Sequence, residues 1–211
     1  MTNPPPPIVD PPTDYGDLAS QFPTLVKDRI PELLYRVHRI DREPEWFAGD
    51  GLYRWDPPPE PAVSFGTCYV ATDPITALME VVGDFDVVTH DMLASRALAT
   101  MSIEAGQFAD MENPAIASFG LDRRISIGDD YGACQRWAKA LWLAGFNGVH
   151  YEPRHDPRGS GFTAFALFGD PGHQPTQVRL VDDGPIDDAV IAGLTGVFSI
   201  RVLPSAPLTH Q

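Results

Sequence analysis

The chain has 211 residues and 43% hydrophobic content, enough to bury the core of one globular domain without disulfide or metal staples. It carries 15 Lys and Arg residues against 29 Asp and Glu residues, and the resulting net charge of −14 disfavours a partner as polyanionic as nucleic acid. This charge leaves open a small phosphate-bearing ligand held by a local cluster of arginines.

The two cysteines, Cys68 and Cys134, form neither a CxxC pair nor a Cys/His spacing typical of zinc ligands. We therefore expect no metal site and no disulfide framework, and we interpret both cysteines as buried core residues. The N-terminus lacks a basic segment followed by an apolar run, and no apolar stretch is long enough to span a bilayer. These features predict a cytoplasmic protein with no membrane partner.

The first part of the chain divides into a tail and the beginning of a folded domain. Residues 1–15 are rich in proline and predict a disordered tail, which leaves 16–211 as a single domain. Residues 33–40 predict a strand, in which Arg36 shares one face with apolar Leu34. A second strand is predicted at 67–71.

A helix should begin directly after the second strand. Asp73 is a suitable N-cap and Pro74 a suitable first helical residue. Apolar residues then recur from Ile75 at i, i+3, i+4 and i+7, which is typical of a helix packed on a core. Glu80 lies almost opposite this stripe, on a face of small residues that could line a cleft.

The rest of the chain indicates an α+β domain. From residue 131 a second apolar stripe predicts a helix that ends before Gly145, whereas residues 84–130 give no regular pattern. Further strands are predicted at 148–151, 162–168, 177–181 and 198–203, with a helix near 185–195. We expect a compact, largely antiparallel sheet with flanking helices, because neither a Rossmann GxGxxG nor a P-loop is present. The tryptophans and Phe47 are interpreted as packing residues.

Four motifs follow one another with consistent order and spacing. They are LYRVHR (34–39), GLYRW (51–55), GTCYVATDP (66–74) running into ALME (77–80), and GVHYEPRHD (148–156) followed by ALF (166–168). Together they resemble the RES-domain family, which is named for an Arg, a Glu and a Ser. Family members resemble the mono-ADP-ribosyltransferase fold and consume NAD by phosphorolysis or hydrolysis, and many are toxins paired with an antitoxin that carries a helix-turn-helix domain.

The resemblance implies NAD as the substrate, with inorganic phosphate as a co-substrate in the phosphorolytic case, and a cognate antitoxin as partner. It places the first family Arg on Arg36, a second on Arg54, the aromatic residue of the YVA strand on Tyr69 and the Glu on Glu80. Arg154 and His155, in the loop after the last motif strand, are further candidates for ligand contact, and Arg39 could substitute for either arginine.

The chemistry of this bond gives each candidate a role. Cleavage leaves positive charge on the ribose, whereas nicotinamide departs neutral and needs no general acid. Glu80 would stabilise the cation, and Arg36 and Arg54 would grip the diphosphate. Tyr69 would stack on nicotinamide or bond to ribose, and His155 could act as a base.

One position departs from the family. Where a family variant reads Tyr-x-Ser-Arg-His-Asp, this chain has Pro153 in place of the Ser, and Ser160 is the nearest serine of that loop. Two alternatives therefore stand beside NAD degradation. One is transfer of ADP-ribose to a protein at the same site, and the other is a weakened module that binds a partner or nucleotide without turnover.

Overall fold

Helices and strands alternate irregularly in the computed structural model, which describes residues 6–59, 65–103, 106–155 and 161–205. The helices are Tyr15–Gln21 (α1), Pro74–Val82 (α2), His90–Ala94 (α3), Arg124–Ile127 (α4), Tyr131–Leu143 (α5) and Asp188–Phe198 (α6), with 3-10 turns at Lys27–Arg29 and Pro114–Phe119. In these described ranges no helix is long and apolar enough to cross a membrane.

The strands form one large sheet and two small ones. They are Leu34–Arg39 (β1), Trp46–Phe47 (β2), Gly66–Ala71 (β3), Val87–Thr89 (β4), Arg96–Ile103 (β5), Phe108–Asp110 (β6), Gly148–Tyr151 (β7), Ala164–Gly169 (β8), Gly172–His173 (β9), Val178–Pro185 (β10) and Arg201–Leu203 (β11). The large sheet has the order β10-β5-β1-β3-β8-β7-β6, and only its β6–β7 pair is parallel. The predicted α+β fold with a largely antiparallel sheet is confirmed.

Two apolar clusters lie on the two faces of this sheet. Val37 and Ala71 belong to the cluster that includes Leu78 of α2 and Trp137 of α5, whereas Leu34 belongs to the opposite cluster. This division follows from the alternation of side chains along a strand. Helices α2 and α5 therefore cover one face, and the side chains of α2 can reach that face of β1 and β3.

Helix α2 begins where local chemistry predicted it. The Asp73 side chain accepts a hydrogen bond from the Thr76 N–H at 2.9 Å, and Pro74 occupies the first turn. Leu78, Met79 and Val82 are buried as the apolar stripe predicted. The end of α5 is also confirmed, because the residue after its cap is glycine with a φ of +90°.

The large sheet is almost split between β1 and β3. These neighbours are joined only at Tyr35 and Ala71, although β1 pairs with β5 along its whole length. Beyond that point Ala48 takes the place of β1 beside β3, with its N–H donating to the Thr67 carbonyl at 3.0 Å. The separation of the two strands opens a cleft within the sheet.

The proline-rich N-terminal segment contacts the domain from residue 6 onward. The Trp137 indole N–H donates to the Val9 carbonyl at 2.8 Å, and Arg136 pairs with Asp10 at 2.6 Å. Asp14 then caps α1. The sequence predicted a disordered tail and did not predict these contacts. The tail supplies backbone carbonyls and one carboxylate as acceptors, and their donors lie over a hundred residues away in sequence.

Candidate active site

A cavity of about 400 Å³ lies at the split between β1 and β3. All six candidate residues line it: Arg36, Arg54, Tyr69, Glu80, Arg154 and His155. They come from β1, the loop before β3, β3 itself, α2 and the segment after β7. The small residues Ala77 and Val81 beside Glu80 also line the cavity, as the helical pattern of α2 suggested.

Glu80 presents a carboxylate with one bound oxygen and one unpartnered oxygen. Its Oε2 accepts a hydrogen bond from the Tyr151 hydroxyl at 3.1 Å, whereas Oε1 is buried without a partner among the described residues. Burial raises the pKa of Glu80, while the Tyr151 hydrogen bond and the charge of Arg54 act in the opposite direction. An unsatisfied buried oxygen of this kind can accept a hydrogen bond from a ligand or stabilise a nearby positive charge.

Arg54 is a buried cation with a free edge. Only 6% of the residue is exposed, and its Nη1 donates to the Ile125 carbonyl at 3.3 Å. Its guanidinium lies over the Tyr131 ring, 4.7 Å from the ring centre, a geometry typical of a cation–π contact. Its Nη2 has no partner among the described residues. The free Nη2 can donate to an anion that enters the cavity.

The hydroxyl of Tyr69 is already used by the protein. It donates to Asp56 Oδ1 at 2.9 Å and accepts from the Trp55 N–H at 2.9 Å. Burial, with the Asp56 charge, raises the pKa of Tyr69 well above its usual value, so the hydroxyl stays protonated. Of the two predicted ligand roles, stacking is the one that leaves this hydroxyl in place.

Arg36 reaches the cavity from the other face of the sheet. It is half-buried, and its Nη1 donates to the Trp46 carbonyl at 2.8 Å and contacts Cys68 Sγ. Cys68 and Cys134 are both buried free thiols, as predicted. Arg36 therefore ties β1 to β2 and β3 beside the split, and it can also face a ligand there.

The segment after β7 adds two groups at the cavity mouth. Arg154 pairs with Asp129 at 2.8 Å and is exposed. The His155 ring packs on Gly83 at the end of α2, where any Cβ would overlap it. Burial lowers the pKa of His155, with Asp84 opposing at 3.7 Å from Nε2. A lowered pKa keeps the imidazole neutral near pH 7, the form that accepts a proton.

Sequence reasoning missed two residues that hold this site together. Asp56 is fully buried and accepts hydrogen bonds from the Tyr69 hydroxyl and, at 2.9 Å, from the Tyr53 N–H. Burial raises its pKa to about 6. In the sequence Asp56 precedes a run of prolines and is typical of a turn, and Tyr151 is typical of a strand core. No local signal separates either from ordinary packing residues.

The position of the missing family serine lies beside the cavity. Pro153 is buried and is not among the lining residues, so it brings no polar group to the cavity. Asp156 and Ser160 lie outside the described residues. Within the part of the chain that the structure describes, no group of three or more His, Cys, Asp or Glu side chains could hold a metal ion.

The comparisons with known proteins agree with this architecture. A family model described as RES domain matches residues 33–187, which include every candidate residue. The chain belongs to the RES-domain family. A chain in the crystal structure of the M. tuberculosis MbcT-MbcA toxin-antitoxin complex is similar to this RES domain, with 22% identity and a TM-score of 0.61. The alignment covers 78% of this chain and 89% of that chain, and at this identity it supports the fold. No match was found among curated proteins.

Proposed function

We propose that this RES domain cleaves the nicotinamide–ribose bond of NAD. The observation that carries the proposal is the pair of unpartnered buried groups in one cavity, Glu80 Oε1 and Arg54 Nη2. A carboxylate oxygen and a guanidinium edge together suit a ligand that has a cationic end and an anionic middle. NAD has this distribution, with a positively charged nicotinamide ring joined through ribose to a diphosphate.

In the proposed reaction the bond from ribose C1′ to the nicotinamide nitrogen breaks and its electron pair leaves with neutral nicotinamide. Glu80 stabilises the positive charge left on the ribose, and Tyr151 holds the other carboxylate oxygen in place. Water attack gives ADP-ribose and a proton, whereas phosphate attack gives ADP-ribose with the phosphate on the carbon that nicotinamide left. Neutral His155, beside the end of α2, is suited to accept the proton of attacking water.

Glu80→Gln tests this proposal, because Gln keeps the size of the side chain and removes its charge. Loss of one preorganised electrostatic group should lower turnover by roughly a hundredfold to a thousandfold and change the Kd for NAD much less. Arg54→Ala should show the opposite split, with weaker NAD binding and a smaller effect on turnover. Exposed Glu32 supplies the matched control, Glu32→Gln.

The assay is nicotinamide release by the purified protein, with and without phosphate, together with a melting curve for each variant. Nicotinamide release that requires phosphate indicates phosphorolysis, and release at the same rate without phosphate indicates hydrolysis. A Glu80→Gln protein with the turnover of the wild type would contradict the mechanism.

Binding without turnover is the second candidate function, and Pro153 favours it because a hydroxyl expected from the family is absent. Calorimetry and the nicotinamide-release assay distinguish the two candidates. Wild-type protein that binds NAD but releases no nicotinamide supports binding without turnover. Transfer of label from NAD to protein would instead assign the ADP-ribosyltransferase alternative. The similarity to a chain of a toxin-antitoxin complex also supports a cognate antitoxin, which the resemblance predicts to carry a helix-turn-helix domain.

A further inference from the structure

Unpartnered buried polar groups concentrate in the cavity at the split. Among the described residues four side-chain atoms are buried without a hydrogen-bond partner: Arg54 Nη2, Trp55 Nε1, Glu80 Oε1 and Arg96 Nε. Three of these four residues, all except Trp55, line the same cavity. The proposed function uses Arg54 and Glu80, and it leaves the donor of Arg96 without an explanation.

Strand register places Arg96 far from Tyr151, the residue that binds Glu80. Strand pairing places Tyr151, the partner of Glu80, in one row across the sheet with Thr100 of β5. This row crosses four strand spacings, roughly 19 Å at the usual 4.8 Å each. Arg96 is on the same face of β5 as Thr100 and four residues along the strand, roughly 13 Å away at right angles to that row. The two positions are therefore far enough apart to contact different groups of an extended ligand.

Three arginines lie close together around Arg96. Arg39 stands directly opposite Arg96 on β1, and Arg42 also lines the cavity. Arg42 and Arg96 lie at its border with a second cavity of about 630 Å³, which both residues line as well. Like charges at opposed strand positions are destabilising unless an anion lies between or beside them. Asp41 pairs with Arg39 at 2.7 Å, so its carboxylate serves that arginine and not Arg96.

The other acidic groups in this region do not supply the missing acceptor. Asp183 of β10, which stands opposite Ala99 of β5, is bonded to His38 Nε2 at 2.9 Å. Glu43 lines the cavity but makes no hydrogen bond to Arg96 Nε. An anionic group of a ligand would satisfy Arg96, and a planar guanidinium is well suited to phosphate.

The positions of Glu80 and Arg96 indicate which groups the ligand carries. In a nicotinamide dinucleotide bound with its nicotinamide ribose at Glu80, the diphosphate comes next, the adenosine ribose follows it, and adenine lies beyond that ribose. A phosphate monoester on that ribose distinguishes NADP from NAD. Phosphate as a co-substrate would have to meet the reacting ribose carbon near Glu80, so it does not explain an anion site at Arg96.

We propose that the cleft is built for NADP, with Arg96 and Arg42 holding the phosphate monoester on the adenosine ribose. This inference rests on the proposed function, because it uses the same cavity and the same reacting bond. It differs in naming the phosphorylated dinucleotide as the preferred substrate.

The test compares nicotinamide release from NADP and from NAD by the wild type and by Arg96→Gln. The wild type should have a kcat/KM for NADP at least about tenfold above that for NAD, since a charge-assisted contact to phosphate discriminates at that level. Arg96→Gln should raise the KM for NADP about 10- to 100-fold and change the KM for NAD less than about threefold. Arg42→Gln should act in the same direction. Arg179→Gln, an exposed arginine on neighbouring β10 that does not line the cavity, is the matched control.

Equal losses for NAD and NADP would place the diphosphate at Arg96 and overturn the inference, and so would a wild type that does not prefer NADP. Release of nicotinamide from neither dinucleotide is a different result, because it contradicts the proposed function. Calorimetric binding still tests the inference in that case. Tighter binding of NADP than of NAD, lost in Arg96→Gln, supports it, and equal binding overturns it.

Discussion

Replacing Asp56 by asparagine should remove a pH-dependent part of the stability of this RES domain. The carboxylate of Asp56 is fully buried and holds the loop that carries Arg54, through the Tyr69 hydroxyl and the Tyr53 N–H, each at 2.9 Å. Burial raises its pKa from 3.8 to about 6. The folded protein therefore keeps this proton to a higher pH than the unfolded chain does.

The sign and the size of the effect follow from these two pKa values. As the pH rises from about 4 to about 6, the unfolded chain loses the proton first, so the free energy of unfolding falls. The full difference corresponds to about 3 kcal/mol, of which about 1.3 kcal/mol lies between pH 5 and pH 7. Stability from this group is thus present at low pH and lost as the pH passes through about 6.

Urea unfolding at pH 5, 6 and 7 measures this difference and avoids the sequence pI of 4.6, where solubility is lowest. Asp56→Asn should have a lower stability throughout, because asparagine cannot accept both hydrogen bonds. Between pH 5 and pH 7 the wild type should lose about 1.3 kcal/mol more than the variant does. Glu32→Gln, at an exposed position, should follow the wild type. Parallel curves for wild type and Asp56→Asn would refute the assignment of a raised pKa to Asp56.

One further substitution and one deletion test contacts described above. Gly83→Ala should displace the His155 ring and lower both the rate of nicotinamide release and the melting temperature. The control is Gly196→Ala, whose added methyl group meets no neighbouring atom, so both quantities should stay unchanged. If Gly83→Ala behaves like Gly196→Ala, the His155 ring moves aside without cost. Deletion of residues 1–10 should lower the melting temperature by roughly 3 to 10 °C, because the Trp137 indole N–H loses its acceptor. An unchanged melting curve would show that the segment is dispensable for stability.

Sequence signals predicted those parts of the fold that depend on neighbouring residues. Asp73 and Pro74 mark the start of α2 through cap chemistry, and Gly145 marks the end of α5 through its positive φ. Both signals act within one helical turn, so a single sequence contains them. Alternation within β1 likewise placed Leu34 and Arg36 on one face.

Long-range arrangements could not be predicted in this way. The split after the Tyr35–Ala71 pair depends on residues 46–48 taking the place of β1 beside β3, and no local pattern indicates this. Trp46 was interpreted as a packing residue, yet it is 38% exposed and lines the cavity. Asp56 was missed because its partners are identified only once the loop is folded onto β3.

The order of the family motifs selected the six candidate residues, and a helical pattern supported one of them, Glu80. The structure places all six on one cavity, but it also shows that they differ in what they can offer a ligand. Glu80 and Arg54 have unpartnered atoms, whereas the Tyr69 hydroxyl is committed to Asp56 and Trp55. Such differences depend on hydrogen-bond partners that motif spacing does not specify.

The split sheet also changes which part of the protein can recognise a ligand. Beyond Tyr35, β1 has a strand partner on its β5 side, and alternate backbone N–H and C=O groups on its other side face the cleft. A ligand lying along this strand can bond to the main chain in the manner of an added strand. Because every residue type except proline supplies the same backbone donor and acceptor, substitutions that change the lining side chains leave this part of the binding surface intact.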